Sequence, residues 1–162
     1  FVALDAESKV VPCYRVGKRD GANANAFIKD FPGRLSNRVQ LSSDSLSAYV
    51  EAVERAWGGG VDYGQIVKHY EAEAIGPGRY SPPKVVDATK LTIVGEPVAA
   101  HICTSHVERQ NLTLRMCMRR FTRLTNAFSK KLENLKAAVA LHFAYYNFVR
   151  IHQTLKVTPY LK

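Results

Sequence analysis

The stretch R-V-Q-L-S-S-D-S-L-S-A-Y-V-E-A-V-E-R-A-W-G-G-G, Arg38 to Gly60, decides how the rest of the chain is read. Arg38 to Ser42 is a short β-prone run that ends at Ser43-Asp44. From Ser45 to Trp57, the residues Leu46, Tyr49, Val50, Val53 and Trp57 recur at helical spacing, and Gly58-Gly59-Gly60 stops the helix. Strand, acid and helix in that order put Asp44 at the C-terminal edge of a sheet, where α/β folds place their chemistry. The expected class is therefore α/β.

Upstream, F-V-A-L-D and V-V-P-C-Y-R-V-G are two β runs joined by D-A-E-S-K, which predicts a hairpin. Ala22 to Phe31 follows as a helix, with Ala24, Phe27, Ile28 and Phe31 at helical spacing before Pro32-Gly33. Downstream, V-D-Y-G-Q-I-V-K-H-Y reads as a strand, G-P-G-R-Y-S-P-P as a loop and K-V-V-D-A-T-K-L-T-I-V-G as a strand or hairpin. The last third is helical: one long helix is expected over His106 to Leu124 with Ser105 as N-cap, and a second over Leu132 to Val149. Leu135, Val139, His142 and Tyr146 mark the inner stripe of that second helix. There is no internal repeat and no low-complexity linker, so one domain over 1–162 is expected.

Composition narrows the function. At 162 residues and 46% hydrophobic, the chain has the length and the apolar content to bury a core. No apolar run approaches the ~20 residues that cross a bilayer, and no leader of the charged, apolar, small-residue type opens the chain. A soluble intracellular protein with no membrane partner is expected. Cys13, Cys103 and Cys117 are odd in number and widely spaced, which argues against a disulfide framework or a paired-cysteine zinc site and predicts mostly packed thiols. Residues 1–100 balance 12 Lys and Arg against 12 Asp and Glu, whereas 101–162 hold 11 against Glu108 and Glu133 alone. The whole net charge of +9 thus lies in the C-terminal part, which points to a polyanion and first to nucleic acid. A basic solvated helix face is the plainer alternative.

The helix that begins T-S-H-V-E-R-Q-N-L-T-L-R-M-C-M-R-R orders its polar stripe. At about 100° per residue, Glu108, Asn111, Arg115, Arg119, Thr122 and Asn126 share one side, with Arg109, Arg120 and Arg123 as a flank. Gln110, Leu114, Cys117, Met118, Phe121 and Leu124 would face the core. An acid followed by arginines suits phosphodiester chemistry, because a divalent ion such as Mg²⁺ takes carboxylate oxygens and guanidinium groups grip phosphates. Taken alone, Glu108 could equally favour the helix dipole and pair with Arg109 or Arg115. A sheet-edge Asp44 beside a helix-borne Glu108 tilts the reading toward a carboxylate metal site.

Q-L-S-S-D-S-L-S-A-Y, the run from Thr104 to Lys131, and Y-Y-N-F-V-R-I-H-Q-T-L-K-V-T-P resemble the catalytic core of bacterial insertion-sequence transposases of the DDE type. The resemblance implies an RNase H-like, integrase-type mixed sheet flanked by helices, with 58–104 an insertion before the last catalytic helix. It implies Mg²⁺ or Mn²⁺ as cofactor, Asp44 and Glu108 as the second and third catalytic and metal-binding acids, and DNA, both element ends and target, as partner. Asn111, Arg115, Arg119, Arg120 and Arg123 would then contact DNA in a bacterial cytoplasmic, nucleoid-associated protein, and the family's habit of acting as multimers makes a homo-oligomer an expectation. Ser45 stands where the family usually has Gly, and His106 where Tyr is common. In the family the first acid lies on the first of three antiparallel strands, and the D-A-E-S-K turn matches the connection between the second and third. Asp5 therefore reads as a hairpin-turn residue, with a metal ligand as the alternative, and the first strand and first acid are expected to precede Phe1.

Two further classes stay open. One is a catalytically inactive fragment that only binds nucleic acid, and the other a purely structural domain. Arg150 and His152 could orient DNA or a carboxylate, or simply pack; His69, His101 and His142 read as structural, Tyr145 and Tyr146 as core or rim aromatics, and Trp57 as packing at its helix end.

Overall fold

The computed structural model describes residues 1–71, 84–122 and 126–162. Among these it is an α/β fold with a small mixed three-stranded sheet and four α-helices. The chain divides into two compact units, one of Leu35–Thr104 and one of Phe1–Arg34 with Ser105–Lys162. The G-P-G-R-Y-S-P-P loop, Arg123 and Leu124 lie outside the described residues.

The unit Leu35–Thr104 is built on strand β1, Gln40–Asp44, helix α2, Ala48–Trp57, and strands β2, Asp62–Glu71, and β3, Lys84–Val94. β1 pairs in parallel with β2, Asp44 opposite Ile66, and β2 pairs antiparallel with β3. K-V-V-D-A-T-K-L-T-I-V is thus a single strand and not a hairpin of its own. α2 starts at Ala48, three residues later than the apolar spacing suggested, because Asp44 to Ser47 are taken up by the turn out of the strand. It ends at Gly58, which adopts φ 53° while its N–H donates to Glu54 O at 2.8 Å, a conformation that glycine enters at little cost.

Two devices close this unit. Arg38 forms a fork onto Asp62, Nε to Oδ2 at 2.9 Å and Nη2 to Oδ1 at 2.7 Å, and Gly95 sits beside it with φ 68°. A Cβ at Gly95 would lie 2.3 Å from Asp62 Oδ1, so the pair and the glycine require each other. On the other side Gln40 bonds both backbone groups of Val98, Ser42 Oγ donates to His101 O, and Ile102 packs over Gly64, where a Cβ would come within 2.5 Å of it.

In the other unit the expected N-terminal hairpin is present as backbone pairing: Ala3 N–H donates to Cys13 O, Asp5 N–H to Val10 O and Arg15 N–H to Phe1 O, with a single bridge between Val2 and Tyr14. Helix α1, Gly21–Asp30, is capped by Asp20, whose carboxylate accepts Asn23 N–H at 2.9 Å, and it stops at Phe31-Pro32. Helices α3, Ser105–Cys117, and α4, Leu132–Phe148, complete the unit. Val11, Leu114, Val139, Phe143 and Tyr146 form the core, and Val2, Leu4, Tyr14, Met118, Phe121 and Leu135 pack on it. The apolar spacing of α4 marks the buried face at Val139 and Tyr146, with Phe143 beside them.

Asn147, also buried, takes a strand's place beside the hairpin. Its Oδ1 accepts Val11 N–H at 3.0 Å and its Nδ2 donates to Val11 O at 2.9 Å, satisfying both polar groups of a buried peptide. Tyr146 Oη donates to Lys9 O at 3.1 Å one residue earlier on the helix.

Helix α3 is shorter than its apolar spacing predicts. It begins at Ser105, which is inside the helix and not its N-cap, and ends at Cys117. Met118 is extended at φ −117°, ψ 105°, and Arg119–Phe121 form a separate 3₁₀ turn. No glycine or proline marks the stop. Arg115, Arg119 and Arg123 would stack at i, i+4 intervals on a continued helix, an unfavourable like-charge series worth a few tenths of a kcal/mol per pair, roughly 0.2–0.5. The expectation of packed thiols also holds for Cys13 alone, since Cys103 and Cys117 are exposed. Cys117 belongs to the last turn of α3 and faces solvent where the helical partition had placed it inward.

Candidate functional site

Asp44 is the last residue of β1 and is exposed at its carboxyl edge. Its Oδ1 accepts Leu46 N–H at 3.3 Å, the turn by which the chain leaves the strand for α2. Behind it runs a polar chain: Ser43 Oγ donates to Asp44 O at 2.7 Å and lies 2.7 Å from Tyr63 Oη, which accepts Gln65 Nε2–H at 2.8 Å. Tyr63 and Gln65 are buried, and they face Leu41 and Ser43 across the parallel ladder. Burial pushes the Tyr63 phenol above its usual value and the Asp44 charge adds to this, against the hydrogen bonds of Ser43 and Gln65. Sequence reasoning missed Tyr63 and Gln65; the signal was their i, i+2 spacing on a strand adjacent to Asp44's own.

Asp62 lies in the same unit but is committed elsewhere. The Arg38 fork and Glu96 N–H hold its carboxyl at about 2, well below the usual value.

Glu108 is exposed in the first turn of α3, in the other unit. Asn111 and Arg115 follow on the same helix, both half-buried, and Arg115 Nε donates to Asn111 O at 3.2 Å. The break at Met118 removes Arg119 from the Glu108 stripe and sets it, with Arg120 of the flank, exposed on the 3₁₀ turn. The stripe expected from Glu108 to Asn126 therefore holds only as far as Arg115. Arg120 Nη1 donates to Ser129 Oγ, and Arg123 lies outside the described residues.

The hairpin turn adds cations near the start of α3 that the sequence did not reveal. Lys9, with φ 62°, places Nζ 3.4 Å from His106 Nδ1. His152 is pushed below its usual value by burial and then by Lys9 and Arg150, and the same two causes, burial and Arg150, lower His142. Arg150 Nη1 also reaches Cys117 Sγ at 3.5 Å. Lys9 and Arg150 thus gather positive potential around the hairpin and the end of α4, and burial, together with that potential, disfavours the charged form of His142 and His152.

Asp5 is a turn former. Its carboxylate accepts Ser8 N–H at 2.9 Å, the Ser8 hydroxyl and, at 3.5 Å, Glu7 N–H, while its carbonyl accepts Lys9 N–H at 3.0 Å. Burial opposes its ionisation, yet these hydrogen bonds and the Lys9 charge outweigh burial and leave the carboxyl below its usual value.

Asp44 and Glu108 offer the hard oxygen donors that Mg²⁺ or Mn²⁺ prefers. Among the described residues, however, no group of three or more His, Cys, Asp and Glu side chains gathers at metal-binding distances. Among the described residues no helix is long and apolar enough to cross a membrane. Comparison with protein-family models, with curated proteins and with solved structures gives no match.

Proposed function

We propose that the chain is an RNase H-like core of a DDE-type transposase, cutting and joining DNA phosphodiesters with Mg²⁺ or Mn²⁺. The observation that carries this reading is Asp44: an exposed carboxylate at the end of the first strand of a parallel β-α-β unit. A strand end of this kind projects a side chain beyond the sheet, where a metal and a phosphate can be reached. Glu108, exposed in the first turn of α3, is the second acid given a metal-binding role in this reading, and the cations of that helix and of the hairpin supply phosphate contacts. The metal, when bound, activates an attacking oxygen and stabilises the leaving one. The chain's own part is to present the two carboxylates, to brace the Asp44 strand end through Ser43, Tyr63 and Gln65, and to grip the strand through Arg115, Arg119 and Arg120.

The test is nicking and strand joining on supercoiled DNA in Mg²⁺. Activity that Asp44→Asn and Glu108→Gln each abolish supports the reading, and activity that survives both substitutions sinks it.

A second reading, nucleic-acid binding without cleavage, is favoured by Asp5. Its carboxylate is occupied by the hairpin turn and so is not offered to a metal as a third acid. DNA affinity that falls steeply with salt, with no metal-dependent nicking, would select it.

A further inference from the structure

We propose that the pocket between the 3₁₀ turn Arg119–Phe121 and the start of α4 binds an unpaired segment of single-stranded polynucleotide, its phosphates on four cations and one base on Phe128. The pocket has a volume of about 630 Å³ and its walls include Arg119, Arg120, Phe128, Ser129, Lys130 and Lys131. Arg120 Nη1 donates to Ser129 Oγ, which ties the turn to the segment that leads into α4. Among the described residues none of the four cations is paired with a carboxylate, so their charge is directed at solvent. Lys131 caps α4 without a side-chain hydrogen bond, so the positive end of a 17-residue helix adds to the same potential, partly offset by Glu133 in its first turn.

Phosphate contacts alone would not call for an aromatic ring. Phe128 is 66% exposed and stands beside four cations, so its ring can be reached from solvent. A ring so placed offers a stacking face for a base, while arginine and lysine beside it hold the flanking phosphates. Bases within a duplex are stacked on each other and do not present a face, so the ligand is single-stranded or locally unpaired. An anionic membrane would also attract cations with an exposed Phe, but a lipid surface is met by a protruding apolar side chain, whereas Phe128 lines a concavity. The inference shares a polynucleotide ligand with the proposed function but does not rest on Asp44, Glu108 or a metal.

The test is the affinity of the full chain for a fluorescent thymine oligonucleotide, and for a duplex of the same length, in EDTA so that metal-dependent cleavage does not enter. Phe128→Ala is expected to weaken single-strand binding by roughly 5- to 100-fold with an unchanged circular dichroism spectrum. Lys130→Ala with Lys131→Ala is expected to flatten the salt dependence of log K by about 1 to 1.5. Parental single-strand affinity in both variants overturns the proposal. So does duplex binding that matches the single strand and is indifferent to Phe128→Ala, or capture by phosphatidylserine vesicles with no oligonucleotide binding. Nicking is scored separately, so a chain that binds at this pocket and never cuts DNA would retain this inference and lose the transposase reading.

Discussion

Replacing Asn147 tests how the hairpin is held to α4. Its amide satisfies both the N–H and the C=O of Val11, and Val11 is 3% and Asn147 8% exposed, so water cannot replace either bond without opening the core. In Asn147→Ala each Val11 group loses its partner. A buried group left unsatisfied costs about 1–3 kcal/mol, so the pair predicts a loss of about 2–6 kcal/mol. At ~2–4 °C per kcal/mol for a chain of this size, the midpoint of thermal unfolding should fall by roughly 4–24 °C. Asn147→Asp supplies an internal control. Ionised, the new carboxylate keeps the acceptor for Val11 N–H but sets a second oxygen against Val11 O; protonated, it again has one donor and one acceptor. Burial and the facing carbonyl raise the folded pKa of the introduced carboxyl above its unfolded value, so its stabilising protonated form is fully present at low pH and lost as pH rises through the folded pKa. Thermal unfolding followed by circular dichroism at pH 5 and pH 8 reads this directly. A midpoint for Asn147→Ala within about 2 °C of the parent, or an Asn147→Asp variant whose deficit does not grow with pH, would refute the reasoning.

Three further outcomes follow from the geometry. Asp62 has its carboxyl held at about 2, below the unfolded value near 3.8, so its contribution is fully present above that unfolded value and lost as pH falls through 2; Asp62→Asn should flatten the acid limb of the stability curve over that window, measured by chemical denaturation. Gly95→Ala should destabilise by at least ~1 kcal/mol, because φ 68° and a Cβ 2.3 Å from Asp62 Oδ1 both resist a side chain, and the variant should also lose the acid limb assigned to Asp62. Burial and the Asp30 carboxylate push the Cys13 thiol up to about 12, so alkylation of the native protein at pH 8 should label Cys103 and Cys117 quickly and Cys13 only on unfolding, as mass spectrometry would show.

Much of the secondary structure was legible because specific residues punctuate it. Pro32-Gly33 stops α1 and Gly58 ends α2, each by a local rule that needs no tertiary context, whereas the Asp20 cap of α1 was not read from the sequence. The end of α3 was not legible, since Met118 is neither glycine nor proline and apolar spacing continues through Phe121. That spacing fits a continued helix, yet Met118 and Phe121 reach the same core after the break, so periodicity could not distinguish the two courses. At the candidate site, the strand-then-acid order placed Asp44 at the edge of the sheet where it is found. Its support by Ser43, Tyr63 and Gln65 depends on the register between β1 and β2, which sequence spacing within one strand does not specify. Asn147 escaped notice for a similar reason: it lies beside an apolar stripe, and its partner is 136 residues away in the chain. Lys9 reaches His106 only because the hairpin and the start of α3, 97 residues apart in the chain, come together within one unit.

The central proposal is that Asp44 and Glu108 are metal ligands, and Mn²⁺ binding followed by electron paramagnetic resonance tests it most directly. Asp44→Asn and Glu108→Gln should each weaken binding. Parental Mn²⁺ affinity in both single variants would contradict the account.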